Sequence, residues 1–565
     1  MSQEETQRLG IVLFFLVVAS VIVMVRLFDF QVINAESWKE RQITQVQVQD
    51  IPDRGLILDK HHNVLAGNGA DYSIGASPSL IYNKREVAAA LAPILQINSY
   101  DLLAQLESTS SFDTQYVRLK YRATEDEAEA IRAFNFYGIQ IDPEPRRIYP
   151  QGDMLCHVLG ISNYDNVGIN GLEEFYNGDL AGQEASIAAS ISPLEVQPYA
   201  LATEGRDLVL TIDRTVQHLV ERKLAEAVNF YGAEGGNVIV MDPRTGALIA
   251  TANYPCYDPF NYFEEEDERI FTNSAVSIHY EPGSVMKLIT MAAALDSGTV
   301  VPASTYYDAG IFEVGGSRIY NAGRGSYGTV DMKYVIAYSL NVGAATLAFN
   351  VGPDGFYNYM KKFRFGEPSG IDLSNEAQGV IHFPGDAIWT EVTLAANSYG
   401  QGMTTTPIQM VSAVSAIANN GYQMRPYIVE QVLQGDEVIY QHEAEPVSRP
   451  ITPETARQVT DMARFAVDVQ IDQAQVPGYS VAGKTGTAEI PEEGGVYGDE
   501  TIASFIGWLP ADDPEIVVLY KLDRPSRSIW GSETAAPAFS DLAKDLVVLL
   551  DIPPDAVRQQ LMFNN

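Results

Sequence analysis

The chain has 565 residues, 46% of them hydrophobic, and its 37 basic and 73 acidic residues give a formal net charge of −36. So acidic a chain repels nucleic acid, which excludes a nucleic-acid-binding role, and its length suits two to four domains. Its two cysteines, Cys156 and Cys256, lie outside any C-x-x-C or Cys/His metal spacing, so no metal and no cofactor are expected, and two buried free thiols are expected ahead of a disulfide.

In chain order, Leu9 to Val25 is an uncharged, mostly apolar run closed by Arg26. At about 1.5 Å per residue it nearly spans a bilayer core. The apolar run continues past the weakly cleavage-like Val18-Ala19-Ser20, which favours an uncleaved transmembrane helix over residues 9–27, with 1–8 as a short preceding segment. A mixed region follows over 28–205. It opens with a hairpin in IPDRGLILDKHHNVLAGN, contains a helix in EDEAEAIRAF (125–134), and becomes turn-rich around RRIYPQGDMLCHVLG. Near residue 205 the pattern changes. Leu208 to Ile212 is strand-like, Arg214 to Tyr231 is an amphipathic helix, and NVIVMD-PRTG-ALIATANY is a β-hairpin. Together with later buried helices this predicts an α/β (α+β) domain over 206–550, an antiparallel sheet covered by helices, with 551–565 as a short tail.

From Ser284 to Leu295 the one charged side chain is Lys287, in a helix apolar on nearly every face. Such a helix is enclosed by protein, and an ammonium there is costly unless it is paired or loses its proton. Three motifs, each occurring once, account for it: Ser284-Val285-Met286-Lys287 is S-x-x-K, Ser339-Leu340-Asn341 is S-x-N, and Lys484-Thr485-Gly486-Thr487 follows the strand-like YSVAG. In this order they form a serine acyl-transfer set. Ser284 follows Pro282-Gly283 at a helix start, where free N–H groups favour an oxyanion. Lys287, one turn on, is placed to take the serine proton as a neutral amine. Ser339 relays that proton to a leaving amine, and Asn341 holds Lys287 and substrate. Lys484 supplies positive potential, and Thr485 and Thr487 offer hydroxyls to a substrate carboxylate. Gly486 lets an extended acyl donor approach the strand edge. Backbone N–H groups of Ser284 and Thr487 are expected to form the oxyanion hole.

These motifs, with YEPGSVMK, SYGQGMTTTPIQM, AGKTGTAEI and SFIGWLP, make the chain resemble a class B penicillin-binding protein over nearly its whole length. The opening hairpin resembles the family's R-G-x-I-x-D-x-x-G-x-x-L-A segment, with Asn63 where the glycine stands. RRIYPQGDMLCHVLG and NGLEEFYNGDLAG are similar to its pedestal motifs. The resemblance implies a penicillin-recognising acyltransferase domain on a mixed, elongated pedestal. It implies a peptidoglycan D,D-transpeptidase in which Ser284 attacks the penultimate D-alanine of a stem peptide, with β-lactams as inhibitors. It further implies a single-pass protein of the cytoplasmic membrane with its bulk outside. Its partners would be a SEDS-type membrane glycosyltransferase and division proteins. Asn341, where elongation-type relatives often carry aspartate, and the short GQGMTTTPIQ are similar to the cell-division FtsI branch. An elongation-type transpeptidase, a DD-carboxypeptidase, a β-lactamase or β-lactam sensor, and a non-catalytic scaffold of the division machinery remain as alternatives.

Overall fold

The computed structural model describes residues 3–33, 47–50, 52–107, 116–163, 165–183, 185–188, 203–491 and 497–564. It divides into one unit of Met1–Arg54 with Ala181–Gly205 and a second of Gly55–Leu180 with Arg206–Asn565. The first unit contains the helix Gln3–Phe28, followed by a turn of π-helix over Asp29–Ile33, and an antiparallel pair, Gln47–Asp50 with Ala185–Ala188. Apolar side chains of the helix such as Phe14, Phe15, Ile22 and Met24 are exposed. Among the described residues no helix is long and apolar enough to cross a membrane. Residues 1 and 2 of the expected N-terminal segment lie outside the described residues.

The second unit is built on two sheets. The five-stranded one runs Ala482–Pro491, Tyr497–Leu509, Ile516–Asp523, Gly235–Met241, Leu248–Tyr254, antiparallel throughout. All seven residues of Gly235–Met241 are buried, which requires cover on both faces of the sheet. Helices Arg214–Tyr231 and Ala535–Leu549 form one packed group, and Met286–Asp296, Pro407–Ala418 and Pro453–Val469 another. The antiparallel sheet under helices is as expected. Ala482–Pro491 is an edge strand, so one side of its backbone is open to a cleft.

The second sheet orders Glu437–Gln441, Val429–Gln434, Asp207–Leu210, Ile57–Leu58, Val64–Ala76 and Val117–Ala123, with Ile139–Ile148 also paired to Val64–Ala76. It draws strands from both sides of residue 205. The opening hairpin forms, with buried Asp59 accepting from the backbone N–H groups of His61 and Asn63. Its left-handed residue is His62 (φ 62°), so His62 rather than Asn63 occupies the position that favours glycine. The expected 125–134 helix runs Glu125–Arg132, started by a Thr124/Glu127 capping box. In the turn-rich part, Arg147 Nε donates to Glu173 Oε1 at 2.6 Å, with both side chains buried. Beyond residue 550 the chain continues into the helix Asp555–Asn564, whose buried Arg558 pairs with Asp512 and Asp555.

The free-thiol expectation is corrected. Cys156 and Cys256 form a disulfide, with Cα atoms 6.2 Å apart and a sequence separation of 100. Nothing local marked the pairing, because buried Cys is equally common as a small core residue. Cross-linking so long a loop restricts the unfolded chain, so a Cys156→Ser/Cys256→Ser protein should lose about 2–4 kcal/mol. Urea midpoints of the variant and the oxidised parent check this.

Candidate active site

Ser284 lies in the 3-10 turn Gly283–Val285 that runs into the helix Met286–Asp296. Every residue from Met286 to Leu295 is buried, Lys287 included. Lys287 Nζ lies 2.9 Å from Ser284 Oγ, 2.6 Å from the Ser339 carbonyl oxygen, 3.0 Å from Ser339 Oγ and 2.7 Å from Asn341 Oδ1. The S-x-x-K and S-x-N motifs thus meet on one nitrogen. Two of its four partners, the Ser339 carbonyl and Asn341 Oδ1, can only accept. They match the two protons of a neutral amine and leave its lone pair for a hydroxyl proton. The amide of Asn341 is turned this way because its Nδ2 donates to the Tyr320 carbonyl at 3.0 Å. Burial first, and then the positive charge of Lys484, holds the Lys287 amine well below the ordinary lysine range.

Ser339 has φ 56°, in the left-handed region that non-glycine residues rarely adopt, at a cost of about 1–2 kcal/mol. This conformation aims both its carbonyl and its hydroxyl at Lys287. Val342, just after Asn341, donates its N–H to Asn321 Oδ1 at 3.0 Å, and buried Asp308 in turn accepts from Asn321 Nδ2. The second motif is therefore braced by a buried polar pair that no sequence pattern announced.

The third motif lies on the edge strand. Lys484 is fully buried, and its Nζ contacts only the Thr485 carbonyl (3.2 Å) and hydroxyl (3.3 Å) among the described residues. Burial lowers it to about 7. Thr487 Oγ1 accepts from the Gly531 N–H at 3.1 Å, which leaves its proton to donate. Gly486 has a second neighbour that the sequence did not show. A Cβ there would lie 2.3 Å from Ser504 Oγ and 3.1 Å from the Pro282 carbonyl oxygen, so this glycine makes room for the nucleophile turn.

Ser284, Ser339, Asn341, Lys484, Thr485 and Thr487 all line one cleft of about 710 Å3. Two supports of Ser284 were not read from the sequence. Gly283 N–H donates to the Gly400 carbonyl at 3.0 Å, and Glu281 Oε1 accepts from the Gly402 N–H at 2.9 Å. The segment SYGQG was visible as a motif, but only the tertiary pairing gives it this work. The constellation can deprotonate a serine, receive an oxyanion beside a strand edge and place cationic potential nearby, the requirements of acyl transfer.

Comparison with known proteins agrees. Residues 236–544 match the penicillin binding protein transpeptidase domain, and residues 49–192 match the penicillin-binding protein dimerisation domain. The chain is 32% identical to stage V sporulation protein D of Bacillus subtilis, an alignment covering 89% of this chain and 79% of that one. It is 27% identical to the peptidoglycan D,D-transpeptidase FtsI of Escherichia coli, covering 92% and 87%. Penicillin binding protein 3 of Mycobacterium tuberculosis, in a crystal structure complexed with aztreonam, aligns with a TM-score of 0.69 at 26% identity, over 90% of this chain and 98% of that one.

Proposed function

The chain belongs to the class B penicillin-binding proteins and is a serine-type peptidoglycan D,D-transpeptidase, and we propose that it works through an acyl-enzyme on Ser284 in septal wall synthesis. The observation that carries the site assignment is the 2.9 Å contact of Ser284 Oγ with a buried, deprotonation-prone Lys287. Lys287 takes the serine proton as Oγ attacks the penultimate D-alanine carbonyl of a stem peptide. The N–H groups of Ser284 and Thr487 receive the oxyanion, while Lys484, Thr485 and Thr487 hold the terminal carboxylate. The peptide C–N bond then breaks, Ser339 passes a proton to the departing nitrogen, and free D-alanine leaves. An amine of a second stem attacks the Oγ ester, forms the new amide and returns the serine hydroxyl. A β-lactam enters the same path at its ring amide and stays as an ester.

The test is incubation of the full chain with a D-Ala-D-Ala peptide and an isotope-labelled D-amino acid. Exchange of the label into the peptide, lost in Ser284→Ala, supports acyl transfer to an amine. D-Alanine release without exchange turns the reading to a carboxypeptidase. A further expectation concerns Asn341→Asp. A carboxylate 2.7 Å from Nζ favours the ammonium, so the Lys287 pKa rises. The base form is then scarcer at neutral pH. Acylation slows there and recovers as pH is raised, which a rate–pH profile reads directly.

The septal role rests on similarity to FtsI and on Asn341. A fluorescent fusion concentrated at division sites supports it, and one spread along the lateral wall favours elongation. The orientation proposed is residues 1–8 inside and the bulk outside the cytoplasmic membrane. Exposed apolar side chains of the Gln3–Phe28 helix and the Cys156–Cys256 disulfide, a feature of oxidising compartments, support it. A SEDS-type glycosyltransferase is the partner proposed for the anchor and pedestal.

A further inference from the structure

Thr485, Thr487 and Glu489 alternate along the edge strand Ala482–Pro491, and all three line the cleft, while Gly486 and Ala488 between them are buried. They therefore share one face of the strand. Glu489 is the one carboxylate among the described lining residues, and it has no ion-pair partner among the described residues. The arginines of the cleft, Arg318 and Arg324, lie on a different segment. Tyr399, also in the lining, is pushed to about 12 by burial and then by the charges of Glu281 and Glu489. The Glu489 end of the cleft is thus negative in a wall that otherwise offers hydroxyls and cations.

Resting on the acyl-transfer reading above, the order along the strand fixes a direction for the donor. Its terminal carboxylate lies at Lys484 and Thr485 and its attacked carbonyl at the Thr487 N–H. The donor chain then continues toward Glu489, about 7 Å past Thr487 at roughly 3.3 Å per residue. The residue that reaches this level is the one preceding the two D-alanines. We propose that Glu489 binds the side-chain ammonium of that residue, so that donors carrying a free amino group there are selected. A carboxylate at this point would be repelled, and a neutral side chain would gain nothing from it.

The test uses the full chain and three acyl-X-D-Ala-D-Ala peptides in which X is lysine, Nε-acetyl-lysine or norleucine. The expected kcat/KM preference for lysine is about ten-fold, the worth of a charge-assisted hydrogen bond. In Glu489→Gln it should shrink to within about two-fold, since a neutral amide offers no charge. Benzylpenicillin, which has no ammonium, should acylate Ser284 at an unchanged rate in that variant. Equal use of the three donors by the parent, or a preference retained in Glu489→Gln, overturns the assignment. Slower penicillin acylation in Glu489→Gln also overturns it, because the residue then acts in the chemistry itself. Failure of penicillin and all three donors to label Ser284 overturns the acyl-transfer reading instead.

Discussion

Lys287→Met should slow acylation of Ser284 by a β-lactam about 1,000-fold, within the range of a positioned general base, while leaving the protein folded. The side chain is buried and carries its nitrogen at a cost, because desolvation opposes the ammonium. Methionine removes that cost and nearly matches the volume. Against this, Asn341 Oδ1 and the Ser339 carbonyl lose their donor, a penalty of about 1–3 kcal/mol each if no water replaces it. Ser339 and Asn341 both line the open cleft, so water can reach them, and the two effects offset. The net change in stability should stay within about 2 kcal/mol. A lysine kept only for structure predicts the reverse pattern, a large loss of stability with acylation intact in the molecules that fold. Lys287→Arg sharpens the contrast: it retains the donors but cannot give up its proton near neutral pH, so it should be as slow as methionine. Stopped-flow acylation and urea midpoints on the same preparations separate the two accounts.

Gly400→Ala should damage both stability and activity, although residue 400 belongs to none of the three motifs. Its φ is 82°, and a Cβ there would lie 2.1 Å from the Gly283 carbonyl oxygen and 2.7 Å from the Gly283 nitrogen. These are backbone atoms of the residue preceding Ser284 and cannot swing aside. Gly283 N–H also donates to the Gly400 carbonyl, so the two turns are clasped. Separating them should cost about 3 kcal/mol or more. A shift of roughly 1 Å at the nucleophile is worth about 100-fold in rate. Gly298→Ala is the control, since φ there is 72° but nothing lies within 4 Å of the added carbon. That variant bears the backbone cost alone, about 1 kcal/mol, and should acylate normally. Equal effects at the two positions would mean that the clasp is not what holds Ser284.

The helix around Lys287 was legible because a single charge in twelve otherwise uncharged residues demands partners, and the three motifs named them by residue type. The apolar runs in NVIVMD and ALIATANY, joined by the PRTG turn, likewise gave two neighbouring strands of the five-stranded sheet correctly, the second of them at its edge. What escaped has a common physical origin in contacts between distant parts of the chain. The Cys156–Cys256 bridge, the Gly283–Gly400 clasp and the Asp308–Asn321 brace each join residues whose local sequence is compatible with other arrangements. Gly486 shows the limit most clearly. Its identity was read as a close approach, and only the fold shows that Ser504 Oγ and the Pro282 carbonyl lie where its Cβ would be. Ser339 is similar, since nothing in Tyr338-Ser339-Leu340 signals a positive φ, yet that φ brings both of its oxygens to Lys287.

Intact mass of the full chain after exposure to benzylpenicillin, followed by peptide mapping and beside Ser284→Ala, tests whether Ser284 is the acylated nucleophile. A lasting increment of one drug mass is expected on the peptide containing Ser284, absent from the variant. An increment on another residue, or one that persists in Ser284→Ala, would contradict it.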